Sequence, residues 1–166
     1  MKTIQNQTFD EERALYGSRD ILVKDCAFDG PADGESAFKE CADIRAEHCF
    51  FNLRYPFWHA KHVLVRNSVV KGEYLAWYCE DVTFENCKII GTQPLCYCKN
   101  LKLINCEMID TDLAFERSEV EATVLTPVLS IKNPYAGHIS VPSVGEIIRD
   151  DEHAKGEILI GGTRRA

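Results

Sequence analysis

Basic charge is the first thing this sequence lacks. Nineteen Lys and Arg stand against 26 Asp and Glu, a formal net charge of −7. A nucleic-acid binder needs a basic footprint to neutralise phosphates, and an anionic membrane surface draws on the same cations. Neither partner is expected. Long apolar runs are missing too, none approaching the roughly 20 residues of a membrane span. The opening residues, MKTIQNQTFDEER, hold no apolar stretch of the kind a secretory signal carries. A cytoplasmic location is therefore expected, where the eight cysteines would stay reduced. P-loop, nucleophile-elbow and HExxH motifs are also absent. The pattern calls for no cofactor and no metal.

What is there is a period. The apolar residues that open strand-like runs are Ile21, Ile44, Val63, Val82, Leu101, Val120, Ile139 and Ile158, spaced by 19 residues except for a first interval of 23. The surplus four are accounted for by PADG (residues 31–34), a polar turn-forming insertion. Numbered from each opener, columns one, three and eight are apolar, the last reading Phe9, Phe28, Phe51, Val70, Ile89, Met108. Column six reads Gln7, Cys26, Cys49, Ser68, Cys87, Cys106, and column five reads Asn6, Asp25, His48, Asn67, Asn86, Asn105. Columns one and three share a strand face, as do six and eight, so the chain turns a corner between them. Asn and Asp suit such a corner because they tolerate left-handed backbone. Stacked amides can also bond one another along the axis. Column nineteen, with Asp20, Asp43, Asp81 and Asn100, marks another corner. Columns twelve to seventeen form a third run, rich in aromatics.

Coils stacked in register give parallel sheets at about 4.8 Å per coil. The pattern predicts an all-β, right-handed parallel β-helix of about 19 residues and three short strands per coil. Residues 1–119 are read as coils, 120–160 as C-terminal capping strands that cover the open end, and 161–166 as a flexible tail. A leucine-rich solenoid is the competing pattern, since LKLINCEM fits its core. That repeat needs room for a helix, where this chain has Pro and aromatics. A left-handed β-helix would show a six-residue period, and right-handed crossover is the general rule for parallel strands.

The stretches ERALYGS, FDGPADGESAFKEC, FFNLRYPFWH, KGEYLAWY, GTQPLCYCKNLKLINC and SIKNP resemble a bacterial family of proteins of unknown function grouped with pectin-lyase-like right-handed β-helices. The resemblance spans residues 2–150. It implies the fold and transfers no catalytic residue. It also implies a shortened member, because YPFWH (55–59) passes almost directly to VLVRNS (63–68).

Three residue sets carry the functional expectations. The cysteines fall into column six and, with Cys41, Cys79 and Cys98, column seventeen; only Cys96 stands apart. Ser68 and Ala60 substitute within these columns, which points to small core residues rather than four ligands converging on a metal. The aromatic run places Tyr55 and Tyr74 in column twelve with Asp112. It places Glu40, His59, Tyr78, Tyr97 and Glu116 in column sixteen. Strand alternation puts both columns outside and column fifteen, with Trp58, Trp77 and Phe115, inside. The outer stripe Glu40, Tyr55, His59, Tyr74, Tyr78, Tyr97, Asp112 and Glu116 is the candidate binding surface, and a saccharide stacking on the rings is the expected partner. The same rings would serve equally as amphipathic cover for a sheet. A saccharide-acting enzyme would use His59 with Glu40 or Tyr78. Glu40 and Glu116, four coils or about 19 Å apart, are too distant for a glycosidase pair. The acidic run RDDEH (149–153) reads as a solvated surface. The remaining alternative is a purely structural or protein-interaction solenoid, and on any of these readings a monomer or an end-to-end homodimer is expected.

Overall fold

The computed structural model describes residues 1–30, 35–161 and 163–165. In chain order its strands are β1 (Lys2–Gln5), β2 (Thr8–Phe9), β3 (Arg19–Lys24), β4 (Ala27–Asp29), β5 (Ala42–Glu47), β6 (Phe50–Asn52), β7 (Lys61–Arg66), β8 (Val69–Lys71) and β9 (Glu80–Glu85). They continue with β10 (Lys88–Ile90), β11 (Lys99–Ile109), β12 (Glu119–Val124), β13 (Val128–Lys132), β14 (Ala136–Val141), β15 (Val144–Ile148), β16 (Glu157–Ile160) and β17 (Thr163–Arg165). The described residues contain no helix.

The pairing is that of a β-solenoid. Strands β1, β3, β5, β7, β9, β11, β12, β14 and β16 stack in parallel along one side, nine rungs and hence eight turns. A second parallel face is built by β2, β4, β6, β8, β10 and the C-terminal half of β11. The register joins the openers read from the sequence: Ile21 to Ile44, Ile44 to Val63, Val63 to Val82, Val82 to Leu101 and Leu101 to Val120. Residues 31–34, to which the extra length of the first interval is assigned, lie outside the described residues. The regular interval then fails once. Val120 pairs with Gly137 and Ala122 with Ile139, so that coil is 17 residues long and Ile139 is not the partner of Val120. Ile139 to Ile158 restores 19.

Beyond residue 119 the parallel ladder continues through β12, β14 and β16. The chain then reverses at Gly161, and β17 pairs antiparallel with β16. Thr163–Arg165 is thus paired backbone where the sequence suggested a loose tail; Gly162 and Ala166 lie outside the described residues. Met108 and Thr126 close the second face, because the Thr126 hydroxyl both accepts from the Met108 amide (2.7 Å) and donates to its carbonyl (3.0 Å).

The corners explain why the coil closes. Positive φ occurs at 27 described non-glycine residues, far above the few per cent usual for such residues. They recur by column. Column five (Asn6, Asp25, His48, Asn67, Asn86, Asn105) and column nineteen (Asp20, Asp43, His62, Asp81, Asn100) are left-handed throughout. Of these two corner columns, column nineteen carries the described side-chain bonds between rungs: Asn100 donates to Asp81, and His62 lies 3.1 Å from it. The column-five amides, open to bonding on the sequence reading, instead turn mostly outward to solvent.

Inside, columns one, three and eight are buried. Phe9, Phe28 and Phe51 stack with centroids 4.9 Å apart, and Phe38 lies 5.3 Å from Phe57. The cysteine columns have a further logic. Each thiol donates to a main-chain carbonyl one rung back: Cys49 to Val23, Cys87 to Val65, Cys106 to Phe84, Cys79 to Phe57 and Cys98 to Ala76. Ser118 donates likewise, to Leu95, and Ser68 donates to the Arg66 carbonyl within its own coil. A small side chain with one weak donor suits a tight corner with a carbonyl turned inward.

The third run departs from expectation. In the first coils it forms no regular strand, only isolated bridges such as Trp58 to Trp77. Columns twelve and sixteen are left-handed, and Ala76, Leu95 and Phe115 add a third left-handed position. Each such residue rotates the chain and cancels the two-residue alternation of a strand. These coils therefore have two strands, not three. Only β13 and β15 pair on this side, in the last coils.

An aromatic face as candidate functional site

The broken alternation decides what faces solvent. Columns thirteen and fourteen both point inward: Ala37 with Phe38, Pro56 with Phe57, Leu75 with Ala76, and Pro94 with Leu95 are buried. Columns fifteen and sixteen point outward at Lys39, Trp58 and Trp77 and at Glu40, His59, Tyr78 and Tyr97, Cys96 being the one column-fifteen residue of these coils that is buried, and column seventeen turns in again. Trp58 and Trp77, expected inside, are half-buried on the surface beside the tyrosines. Tyr78 and His59 are exposed, Tyr78 to 47%, while Tyr97, Tyr55 and Tyr74 are half-buried.

The coil that follows Leu101 slips by one residue. Gln93 and Tyr97 donate their amides to the carbonyls of Asp112 and Glu116, where the preceding coils place the residue before column twelve or sixteen. Leu113 and Arg117, not Asp112 and Glu116, hold the left-handed positions of columns twelve and sixteen. Phe115 accordingly falls in the buried column fourteen. Glu116 lies beside Cys96 and pairs with Lys132 at 3.7 Å, and Arg117 pairs with Asp151 at 3.4 Å. The predicted carboxylates Asp112 and Glu116 are thus displaced from the tyrosine stripe, because a one-residue slip is invisible when the total interval stays at 19.

The remaining predicted residues come together. His59, Tyr78 and Tyr97 form a parallel stack with centroids 5.3 and 4.9 Å apart and planes within 12°. Tyr55 and Tyr74 stack at 4.9 Å. Trp77 lies between the two stacks, turned 88° and 69° from Tyr55 and Tyr74, and 74° and 73° from Tyr78 and Tyr97. Its indole N–H donates to the Gln93 carbonyl at 2.8 Å, which fixes that orientation. Trp58 lies 4.9 Å from Tyr55 and carries Lys39 over its ring at 4.7 Å. The Arg54 guanidinium sits about equally over Tyr55 and Tyr74, 5.9 and 6.0 Å away. Burial pushes the Tyr55 and Tyr97 hydroxyls above their ordinary pKa, with Glu116 adding to the effect at Tyr97.

Glu40 stands one rung from His59, and its carboxylate accepts a short hydrogen bond from Tyr16. That bond raises the Tyr16 pKa. Glu40, His59 and Tyr16 line one shallow depression at the N-terminal end of the column-sixteen stack. Sequence reasoning missed Tyr16, Trp58 and Trp77 as surface groups. The signal was present in the consecutive apolar pairs of columns thirteen and fourteen, which no alternating strand would carry.

Among the described residues no three His, Cys, Asp or Glu side chains converge as a metal ion requires. All eight cysteines are buried. The acidic run is part of the framework: Asn133 donates to Asp150 at 2.6 Å and accepts from the Asp150 amide, and Asp151 accepts from the His153 amide.

Stacked parallel rungs, a core of one-residue ladders and a flat aromatic outer face place the chain among the parallel β-solenoids. It belongs to the family described as Protein of unknown function (DUF3737), whose model matches residues 2–67 and 57–160. No curated protein and no solved structure matches it.

Proposed function

We propose that the aromatic face binds a saccharide and performs no chemistry on it. The observation that carries this reading is the orientation of Trp77. Within the stacks the rings cover one another, so they offer mainly edges and hydroxyls to a ligand. Trp77 is turned across both stacks and pinned by Gln93. It is the ring of this face best placed to offer a flat apolar surface, with tyrosine hydroxyls on either side. Such a platform suits the apolar face of a sugar ring, with polar edges for its hydroxyls. On this reading the protein is a shortened, pectin-lyase-like member of a bacterial family. It is a right-handed coil working in the cytoplasm as a monomer or end-to-end dimer, without nucleic acid, membrane or cofactor.

Titration with oligosaccharides, followed by tryptophan fluorescence and calorimetry, tests it. Trp77→Ala should weaken binding most, and Tyr78→Ala or Tyr97→Ala should weaken it roughly tenfold, the scale of an aromatic contact of about 1–1.5 kcal/mol. A broad glycan panel with no binder would leave a structural solenoid.

The depression shared by Tyr16, Glu40 and His59 supports a second reading, a saccharide-acting enzyme. His59 would be its acid or base, with Glu40 or Tyr78 beside it. This reading requires turnover that His59→Ala abolishes; binding without turnover rejects it.

A further inference from the structure

We propose that the depression at the N-terminal end of the column-sixteen stack holds an anionic group, a carboxylate or a sulfate, of a saccharide lying on the aromatic face. The inference rests on the saccharide reading and adds the charge of the ligand.

The depression is a gap in the ladder. Column sixteen runs Gly17, Glu40, His59, Tyr78, Tyr97, so the first coil has no side chain where the others place one. A Cβ built on Gly17 would meet nothing within 4 Å. Around that space stand Tyr16, Arg19, Glu40, His59 and Lys61. Two permanent cations and an imidazole thus face one carboxylate, and the Tyr16 hydroxyl already donates to that carboxylate. Two further cations flank the rim: Arg13 lies 5.5 Å from the Tyr16 ring, and Lys39 lies over Trp58.

The acidic neighbours do not cancel this. Glu12 is engaged by Arg13 at 3.4 Å, and Glu80 pairs with Lys61 at 3.7 Å, both pairs about half exposed. Exposed pairs of this kind exchange partners at little cost. Asp20 adjoins Arg19 in sequence but belongs to the next corner column. In a chain of net charge −7, the lining of the depression itself carries two cations against one carboxylate. A guanidinium is the side chain best shaped to hold a planar carboxylate or a sulfate. His59 belongs to both features, lining the depression and stacking on Tyr78. One ligand can therefore span both.

The test compares length-matched probes on the full chain at low ionic strength: maltohexaose as the neutral one, hyaluronan and chondroitin sulfate hexasaccharides as the anionic ones. The anionic probes should bind roughly tenfold more tightly, the effect of one hydrogen bond to a charged group. Arg19→Gln and Lys61→Gln should each remove that advantage and leave maltohexaose binding unchanged. Trp77→Ala should weaken all three. Sodium sulfate, against sodium chloride of equal ionic strength, should shift the amide resonances of Arg19 and Lys61, and the double variant should lose the response. Equal affinity for neutral and anionic probes, or an advantage that survives in the double variant, overturns the anion site and leaves the saccharide reading standing. Sulfate shifts without any hexasaccharide binding overturn the saccharide reading and keep the anion site. Silence in both arms overturns both.

Discussion

A cysteine in this chain is a corner-filling donor rather than a nucleophile. Burial pushes the Cys41 and Cys49 thiols up to about 11 from an ordinary 9.0. Cys87 is held higher still, first by the Cys106 thiol of the next rung and then by burial. Iodoacetamide at pH 8 should therefore leave the native cysteines largely untouched and modify all eight once urea unfolds the chain, as mass spectrometry would read. The raised values also set a pH dependence. A thiol whose folded pKa lies above its unfolded one stabilises the fold fully below about pH 9, and that stability is lost as pH rises toward about 11. The urea midpoint should thus fall between pH 9 and pH 11, and Cys→Ser variants at Cys41 and Cys49 should flatten the slope. Serine is the fitting replacement because Ser68 and Ser118 already hold equivalent corners. The aromatic core is less forgiving. Phe51 is fully buried, 4.9 Å from Phe28 and 5.3 Å from Phe57. Phe51→Ala should cost about 3–5 kcal/mol in chemical denaturation.

At the scale of the element, legibility followed side-chain preference. Columns one, three, six and eight were readable because an in-register parallel stack puts one residue type at one depth, and burial selects it. Column five was readable because Asn and Asp favour the left-handed region. Columns twelve and sixteen occupy that region with Tyr, His, Glu and Gln, residues whose presence in a sequence signals nothing of the kind. The alternation rule then failed where it was needed, and Trp58 and Trp77 were placed on the wrong side. The slip in the coil after Leu101 was hidden for a different reason: an extra residue before Leu113 is balanced by a missing one after Ser118, and the interval stays at 19. The stretch around column ten offers a sharp test of the stacking. Gly72 and Gly91 have φ of 143° and 138°. A Cβ on Gly91 would lie 1.6 Å from the Gly72 carbonyl oxygen, and one on Gly72 would lie 2.0 Å from that of Leu53. Backbone must move to admit either. Gly91→Ala should destabilise by about 3 kcal/mol or more, with a melting temperature lower by roughly 10 °C, whereas alanine at Gly17 faces open space and pays only for its left-handed φ.

For the whole molecule the coil is the unit of both stability and change, because each rung meets only its neighbours. The two segments that match the family overlap at residues 57–67, the end of one coil and the start of the next. One stretch thus fits two places in the family's pattern, as neighbouring coils of one solenoid allow. The same interchangeability can be forced. Removing residues 61–79 joins Ala60 to Glu80, and β5 then meets β9 in the register it now shares with β7, since Lys61 and Glu80 are partners. Cys49 would face Cys87, Phe51 would face Ile89, and His59 would take Tyr97 as its neighbour. Every inward residue stays inward. That variant should fold to a β-rich protein with one cooperative transition and a urea m-value smaller by roughly a tenth, in proportion to the surface lost. Removing residues 61–70 instead takes out β7 and leaves half a coil, turning buried columns toward solvent, and should yield an unfolded or aggregated chain. The first variant also separates fold from function. It lacks Tyr74, Trp77 and Tyr78 while keeping Arg19 and the Tyr16–Glu40 pair. Saccharide binding should vanish from a protein whose circular dichroism and cooperativity persist, which locates the platform in the excised coil rather than in the solenoid as a whole.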